Sequence, residues 1–152
     1  MALLGPGGDR GVGGPSLWDI LTQPEAVLLP PSSPSEEVRR DVLRNIRDVL
    51  NARRGRCMGH PDYGMPEVSE FFVSPRGMTR LAREIKRTIE RWEPRVARPV
   101  DVRAVAAGEP EGADAGVFRA AFLVRARLTA PWNEMCTFRT MFMADGRAEV
   151  ER

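Results

Sequence analysis

The chain has 152 residues, 42% hydrophobic and 29% charged, which is enough apolar mass for one globular domain with a sizeable core and tight for two. Its formal net charge is only +2, with Lys86 the one lysine against a large excess of arginine, so bulk charge does not point to a nucleic-acid partner. The longest apolar stretches, such as Ala120 to Val124, fall far below the roughly 18 residues of a membrane span, and the start lacks a basic segment followed by an apolar run. A soluble, unsecreted protein without membrane insertion is expected. Cys57 and Cys136 read as reduced thiols, because one follows an arginine-rich helix end and the other falls in an apolar strand pattern.

Met1 to Gly14 holds six glycines and one proline, too little apolar content to fold alone, so residues 1–15 are expected to be a disordered tail and residues 16–152 a single domain. Ser16-Leu17-Trp18-Asp19 has the form of a capping box opening a short amphipathic turn that Pro24 interrupts. Pro30, Pro31 and Pro34 with the nearby serines then form a linker. The first long helix is read from Ser33 as cap, Pro34 at the first helical position and Glu36 completing the box. Val38, Val42, Ile46, Val49 and Leu50 form its apolar stripe, and Gly55 is expected to stop it.

Cys57 to Pro66, with His60, Asp62, Tyr63 and Gly64, reads as a loop. A second helix is predicted from about Ser74-Pro75, with Met78, Leu81, Ile85, Ile89 and Trp92 on one face and Pro94 as its stop. The period then changes to two. Val96, Arg98, Val100, Val102 and Ala104 predict a strand that Pro99 places near a sheet edge. Gly108 to Gly116 reads as a loop.

Phe118 to Leu128 alternates apolar residues with Arg119, Arg125 and Arg127, and Pro131-Trp132-Asn133 turns the chain. Cys136, Phe138, Thr140 and Phe142 give a third strand, and Asp145-Gly146 signals a type I′ hairpin into Ala148 to Glu151. The order of elements predicts an α+β fold: two main helices packed on a small, mostly antiparallel sheet of about four strands ending in a C-terminal β-hairpin.

The residues offer little catalytic chemistry. Cys57 and His60 are spaced as half a zinc site, but the other ligands are missing, so no metal and no cofactor is expected. A glycosidase would need two carboxylates set across a cleft, and Glu67, Glu70, Glu84, Glu90 and Glu93 supply number without arrangement. Arg40, Arg44, Arg47 and Arg54 on the first helix, and the arginines of the second strand, could meet phosphates. Acidic neighbours and the lack of interleaved aromatics favour a solvated face.

Trp92-Glu93-Pro94-Arg95 is more informative. Glu93 closes a helix, where the negative end of the dipole disfavours a carboxylate by ~0.3–1 kcal/mol, so it requires a cationic or amide partner. Two arrangements fit: Glu93 and Arg95 facing another protein from either side of a rigid proline, or an internal ion pair, for example of Glu93 with Arg53 or Arg54.

Four motifs in order resemble the TssE family of type VI secretion systems and the related baseplate protein of contractile phage tails. They are SLWDILT at Ser16 to Thr22, LNARRG at Leu50 to Gly55, PDYGMPEV at Pro61 to Val68, and WEPR at Trp92 to Arg95. Ala52 and Met65 depart from the threonine and leucine common in that family. The resemblance implies a cytoplasmic, non-catalytic subunit near the inner face of the membrane, present in multiple copies, that contacts other wedge proteins and helps start the contractile sheath. It implies a wedge contact at Glu93, Pro94 and Arg95, and a structural motif of Asn51, Arg53, Gly55, Tyr63 and Gly64. The C-terminal hairpin, about Thr137 to Val150 with Thr137, Arg139, Met141 and Met143 as contact residues, is expected to offer a strand edge to sheath subunits by β-augmentation. The rival readings are a lysozyme-like peptidoglycan glycosidase and, behind it, an RNA-binding domain.

Overall fold

The computed structural model describes residues 34–106 and 118–152. The expected Gly-rich tail, the Ser16 to Leu21 turn, the proline linker with its Ser33 cap and the Gly108 to Gly116 loop lie outside those residues. Helix α1 spans Pro34–Asn51. Pro34 presets the helical φ where its missing N–H is not needed, Glu36 and Glu37 complement the dipole in the first turn, and no glycine or further proline interrupts the run. Val42, Ile46, Val49 and Leu50 are buried, with Val38 packed beside them, so the stripe read from the sequence is the face that meets the core.

The helix ends at Asn51 rather than running to Gly55. The Ala52 N–H still donates to the Asp48 carbonyl at 2.9 Å, but the chain then lies alongside Met65. Met65 N–H donates to the Ala52 carbonyl and Arg54 N–H to the Met65 carbonyl, each at 2.8 Å. Gly55 (φ +85°) shapes the turn beyond, donating its N–H to the Pro61 carbonyl at 2.8 Å. Gly64 (φ +95°) is doubly required, since a Cβ there would also overlap the Ala52 carbonyl oxygen.

A single helical turn, α2 (Ser69–Phe72), buries Phe71 and was not legible in the sequence. Helix α3 spans Gly77–Trp92, starting slightly later than the Ser74-Pro75 signal suggests. The Ser74 carbonyl accepts from Gly77 N–H at 2.9 Å, and Gly77 sits against the Phe71 carbonyl where a side chain would collide. Leu81, Ile85, Thr88 and Ile89 are its buried residues beyond Gly77.

Strands β1 (Val96–Val105), β2 (Phe118–Leu128), β3 (Met135–Met143) and β4 (Ala148–Glu151) form one sheet in sequence order, every neighbouring pair antiparallel. The α+β expectation holds. Helix α3 packs on β1, α1 packs on β4, and the helices touch each other. Phe122, Phe138 and Phe142 fill the inner sheet face beneath Ile46, Leu81, Ile85 and Ile89, with Phe122 and Phe142 edge to face at 6.1 Å. Burying each such aromatic contributes roughly 1.5–3 kcal/mol.

Two local details differ from the sequence reading. The register of β1 against β2 shifts between Ala97 and Asp101, so Val96 and Val100 face inward while Arg98 and Ala104 are exposed, and strict alternation fails at a bulge around Pro99. The last hairpin closes through Met143 N–H to the Arg147 carbonyl at 2.9 Å and Gly146 N–H to the Met143 carbonyl at 3.0 Å. Gly146 has φ +82° while Asp145 is not left-handed. The turn is therefore a three-residue type I turn with a left-handed glycine, and not the two-residue I′ turn.

Candidate functional site

The residues singled out in the sequence converge where α3 ends and β1 begins. Pro94 cannot continue the helix, and Glu93, whose N–H still donates to the Ile89 carbonyl, turns extended at φ −116°, ψ 90°. That reversal brings Arg95 back over its neighbour. The Glu93 carboxylate takes four donors: Arg95 Nε at 2.8 Å and Arg95 N–H at 3.1 Å on Oε1, and Arg95 Nη2 and Asn45 Nδ2, each at 2.8 Å, on Oε2. Its side chain is 0% exposed, whereas that of Arg95 is 35% exposed. The Arg95 carbonyl accepts the Thr129 N–H at 2.8 Å, so this corner ties α1, α3, β1 and the end of β2 together.

Burial alone would push the Glu93 carboxyl up, but the Arg95 and Asn45 hydrogen bonds outweigh it and hold the pKa below the ordinary carboxylate range. Glu93 in turn raises that of Arg95. The dipole argument was right that Glu93 needs a cation and an amide. The internal pair exists, but with Arg95, since Arg53 pairs with Glu67 at 2.9 Å and Arg54 with Glu84 at 3.2 Å. The expectation that Glu93 faces a partner is corrected: it has no surface to offer, and only the exposed Pro94 and the half-exposed Arg95 do.

The motif loop docks on the same corner. Trp92 meets Tyr63 edge on at 5.1 Å and His60 at 5.7 Å, with the Arg91 guanidinium 5.3 Å from its ring centre. Arg91 also pairs with Asp62 at 2.9 Å. Burial, then Asp48 and Cys57, raise the Tyr63 pKa. Tyr63 and Gly64 thus serve architecture, the first as a packing surface for Trp92 and the second as a close-approach point. Among the described residues no group of three metal-ligating side chains exists.

Asn51 does more than end a helix. Its Nδ2 donates to the Arg47 and Ala148 carbonyls, each at 2.8 Å, and its Oδ1 accepts the Ala148 N–H at 2.9 Å. The side-chain amide therefore pairs with the outer edge of β4 as a neighbouring strand would, and Arg47 Nη2 reaches the Val150 carbonyl at 3.4 Å. This corrects the expected hairpin edge. Arg139 and Met141 lie between strands on both sides, opposite Glu151 and Glu149 on one and Leu123 and Ala121 on the other, and Met143 closes the turn. β4 stops opposite Arg139, so of the four residues only Thr137 lies on a stretch of β3 without a strand on that side. Because Met143 donates to Arg147, odd-numbered residues of β3 direct their backbone groups toward β4, and Thr137 directs its own past the end of β4.

Sequence reasoning missed Asn45 and Thr129, and it read Arg47 as part of a solvated face when it reaches the Val150 carbonyl. Asn45 had a signal: it sits three residues after Val42 and four before Val49, a polar side chain on the buried stripe. The other two act through backbone contacts that leave no pattern.

Fold and site together define a class: a small α+β domain whose helix-to-strand corner is braced by a buried carboxylate held by an arginine and an asparagine. Residues 36–130 match the family model of baseplate wedge protein gp25, and the chain belongs to that family, a structural baseplate protein. The match contains the LNARRG, PDYGMPEV and WEPR motifs. Two solved structures share the fold. One, from "The baseplate complex from the type VI secretion system", is 21% identical with TM-score 0.58, covering 71% of this chain and 94% of that one. The other, a putative tail lysozyme from Geobacter sulfurreducens, is 22% identical with TM-score 0.53, covering 76% and 96%. A search of curated proteins finds no match.

Proposed function

We propose that the chain is a non-catalytic baseplate subunit of a type VI secretion system, acting in the cytoplasm beside the membrane in several copies. It binds other wedge proteins through the corner at Pro94 and Arg95 and helps start the contractile sheath at the Thr137 margin of β3. The observation that carries the reading is the corner itself. Glu93 is spent entirely inside the protein, holding Arg95 by two side-chain bonds so that its remaining surface faces out in one orientation.

The glycosidase rival needs a carboxyl kept protonated near neutrality. Here the fully buried carboxyl is held down instead of up, and Glu67 and Glu84 are each engaged by arginine. Peptidoglycan incubated with purified protein should release no soluble fragments; release that disappears when Glu84 or Glu67 is replaced would establish the rival.

For the sheath, an incoming strand would bond to the Thr137 backbone, where no ladder partner lies on the β4 side. Thr137→Pro removes that donor without touching a β2–β3 ladder bond, and a folded variant should fail to seed sheath polymerisation. Normal polymerisation by the folded variant would refute this docking mode.

A further inference from the structure

The outer face of the sheet is turned away from both helices, and its charges are not balanced. Arg125 and Arg127 are exposed on β2, and Arg139 is exposed on β3. The register places Thr137 opposite Arg125, Met135 opposite Arg127 and Leu123 opposite Arg139, so the three arginines share one face across two central strands, with Arg125 diagonal to Arg139. Among the described residues, none of the three guanidinium groups has a hydrogen bond or an ion pair. Elsewhere arginines are mostly consumed: Arg39, Arg44, Arg53, Arg54, Arg91 and Arg95 all pair with carboxylates. Of the carboxylates beside the cluster, Asp101 opposite Arg125 is paired with Arg103 at 3.0 Å, and Glu151, opposite Arg139 on β4, forms no ion pair with it and borders only that end. Beside the cluster lies a basin of about 500 Å³, with the apolar Met135, 47% exposed, on its wall.

We infer that this face is a separate docking surface for an acidic segment of a partner protein, carboxylates on Arg125, Arg127 and Arg139 and one apolar side chain against Met135. Charge complementarity selects the occupant. Three unpaired arginines on a chain of net charge +2 are a local feature and not bulk basicity, and the guanidinium fork bonds carboxylates in pairs. The spacing agrees: Arg125 and Arg127 point the same way about 6.8 Å apart along the strand, a repeat that alternate residues of an extended acidic segment reproduce. A single-stranded nucleic acid would be held by aromatic platforms between the cations. The outward positions of β2 and β3 from Leu123 to Arg127 and from Met135 to Met141 contain no aromatic residue.

The test uses the full chain, a fluorescein-labelled decaglutamate peptide carrying one leucine, and a labelled oligothymidylate of similar charge, followed by fluorescence anisotropy at low salt. The peptide should bind better than the oligonucleotide. Arg125→Gln/Arg127→Gln/Arg139→Gln should weaken it at least about tenfold with unchanged thermal unfolding. Arg40→Gln/Arg56→Gln/Arg83→Gln, which removes the same charge from exposed positions elsewhere, should leave it intact. Equal losses in both triple variants, or no peptide binding by the parent chain, would overturn the proposal. Tighter binding of the oligonucleotide that depends on the sheet arginines would replace it with nucleic-acid recognition.

Discussion

Replacing Glu93 with glutamine tests the buried clamp most severely, because it changes the charge and almost nothing of the shape. A glutamine can keep its carbonyl oxygen on the Arg95 Nε and N–H, but its NH2 then faces Arg95 Nη2 and Asn45 Nδ2, so two of the four donors now on the carboxylate lose their acceptor. Breaking a buried pair costs about 3–5 kcal/mol. Arg95 is 35% exposed and can rehydrate in part, which places the expected loss near 3 kcal/mol, or about a 10 °C fall in Tm for a domain of this size. The pH dependence follows from the direction of the shift. The carboxyl is lowered from 4.5 in the folded state, so its contribution is complete above the unfolded pKa and disappears as pH falls through the folded value. Urea unfolding of parent and variant should therefore differ by about 3 kcal/mol at neutral pH, and the gap should close in acid. A gap under about 1 kcal/mol at neutrality, or one unchanged by acid, would refute the reasoning.

Asn51→Ala deletes two hydrogen bonds at the β4 edge and one to the Arg47 carbonyl and should cost about 1–3 kcal/mol, accelerate amide exchange at Ala148 and promote self-association by sedimentation velocity; unchanged exchange would mean the edge is held by other groups. Thr140 is fully buried with an unpartnered hydroxyl, so Thr140→Val should stabilise by about 1 kcal/mol in urea unfolding, and a loss of stability would point to an overlooked partner. Gly64→Ala must accept a left-handed φ and a collision with the Ala52 carbonyl, so it should cost about 3 kcal/mol or more in the same assay.

The sequence carried the elements better than their joints. The α1 and α3 stripes and the alternation in β2 and β3 were legible because burial follows a fixed period within one element. The bulge in β1 was not, because it depends on how Pro99 meets β2 and not on β1 alone. At the site, helix-dipole reasoning required a partner for Glu93 and was right. It could not name Arg95, because a two-residue separation brings charges together only when the backbone reverses at Pro94. Asn51 entered only as part of the structural motif the resemblance implies, and its task stayed hidden because its two bonds to Ala148 cross 97 residues of chain. The edge residues were misplaced for a related reason: patterning located β3 and Ala148 to Glu151, but it does not say that β4 pairs along β3 as far as Arg139 and, of the four expected residues, leaves only Thr137 beyond it.

The most direct test compares Glu93→Gln with Arg95→Gln in capture of the co-expressed wedge proteins, at a temperature where both variants remain folded. Each breaks the same internal pair, yet only the second removes a cation that reaches the surface. Capture should fall at least about tenfold further for Arg95→Gln than for Glu93→Gln. Equal losses that track stability, or full capture by both, would contradict a docking role for this corner.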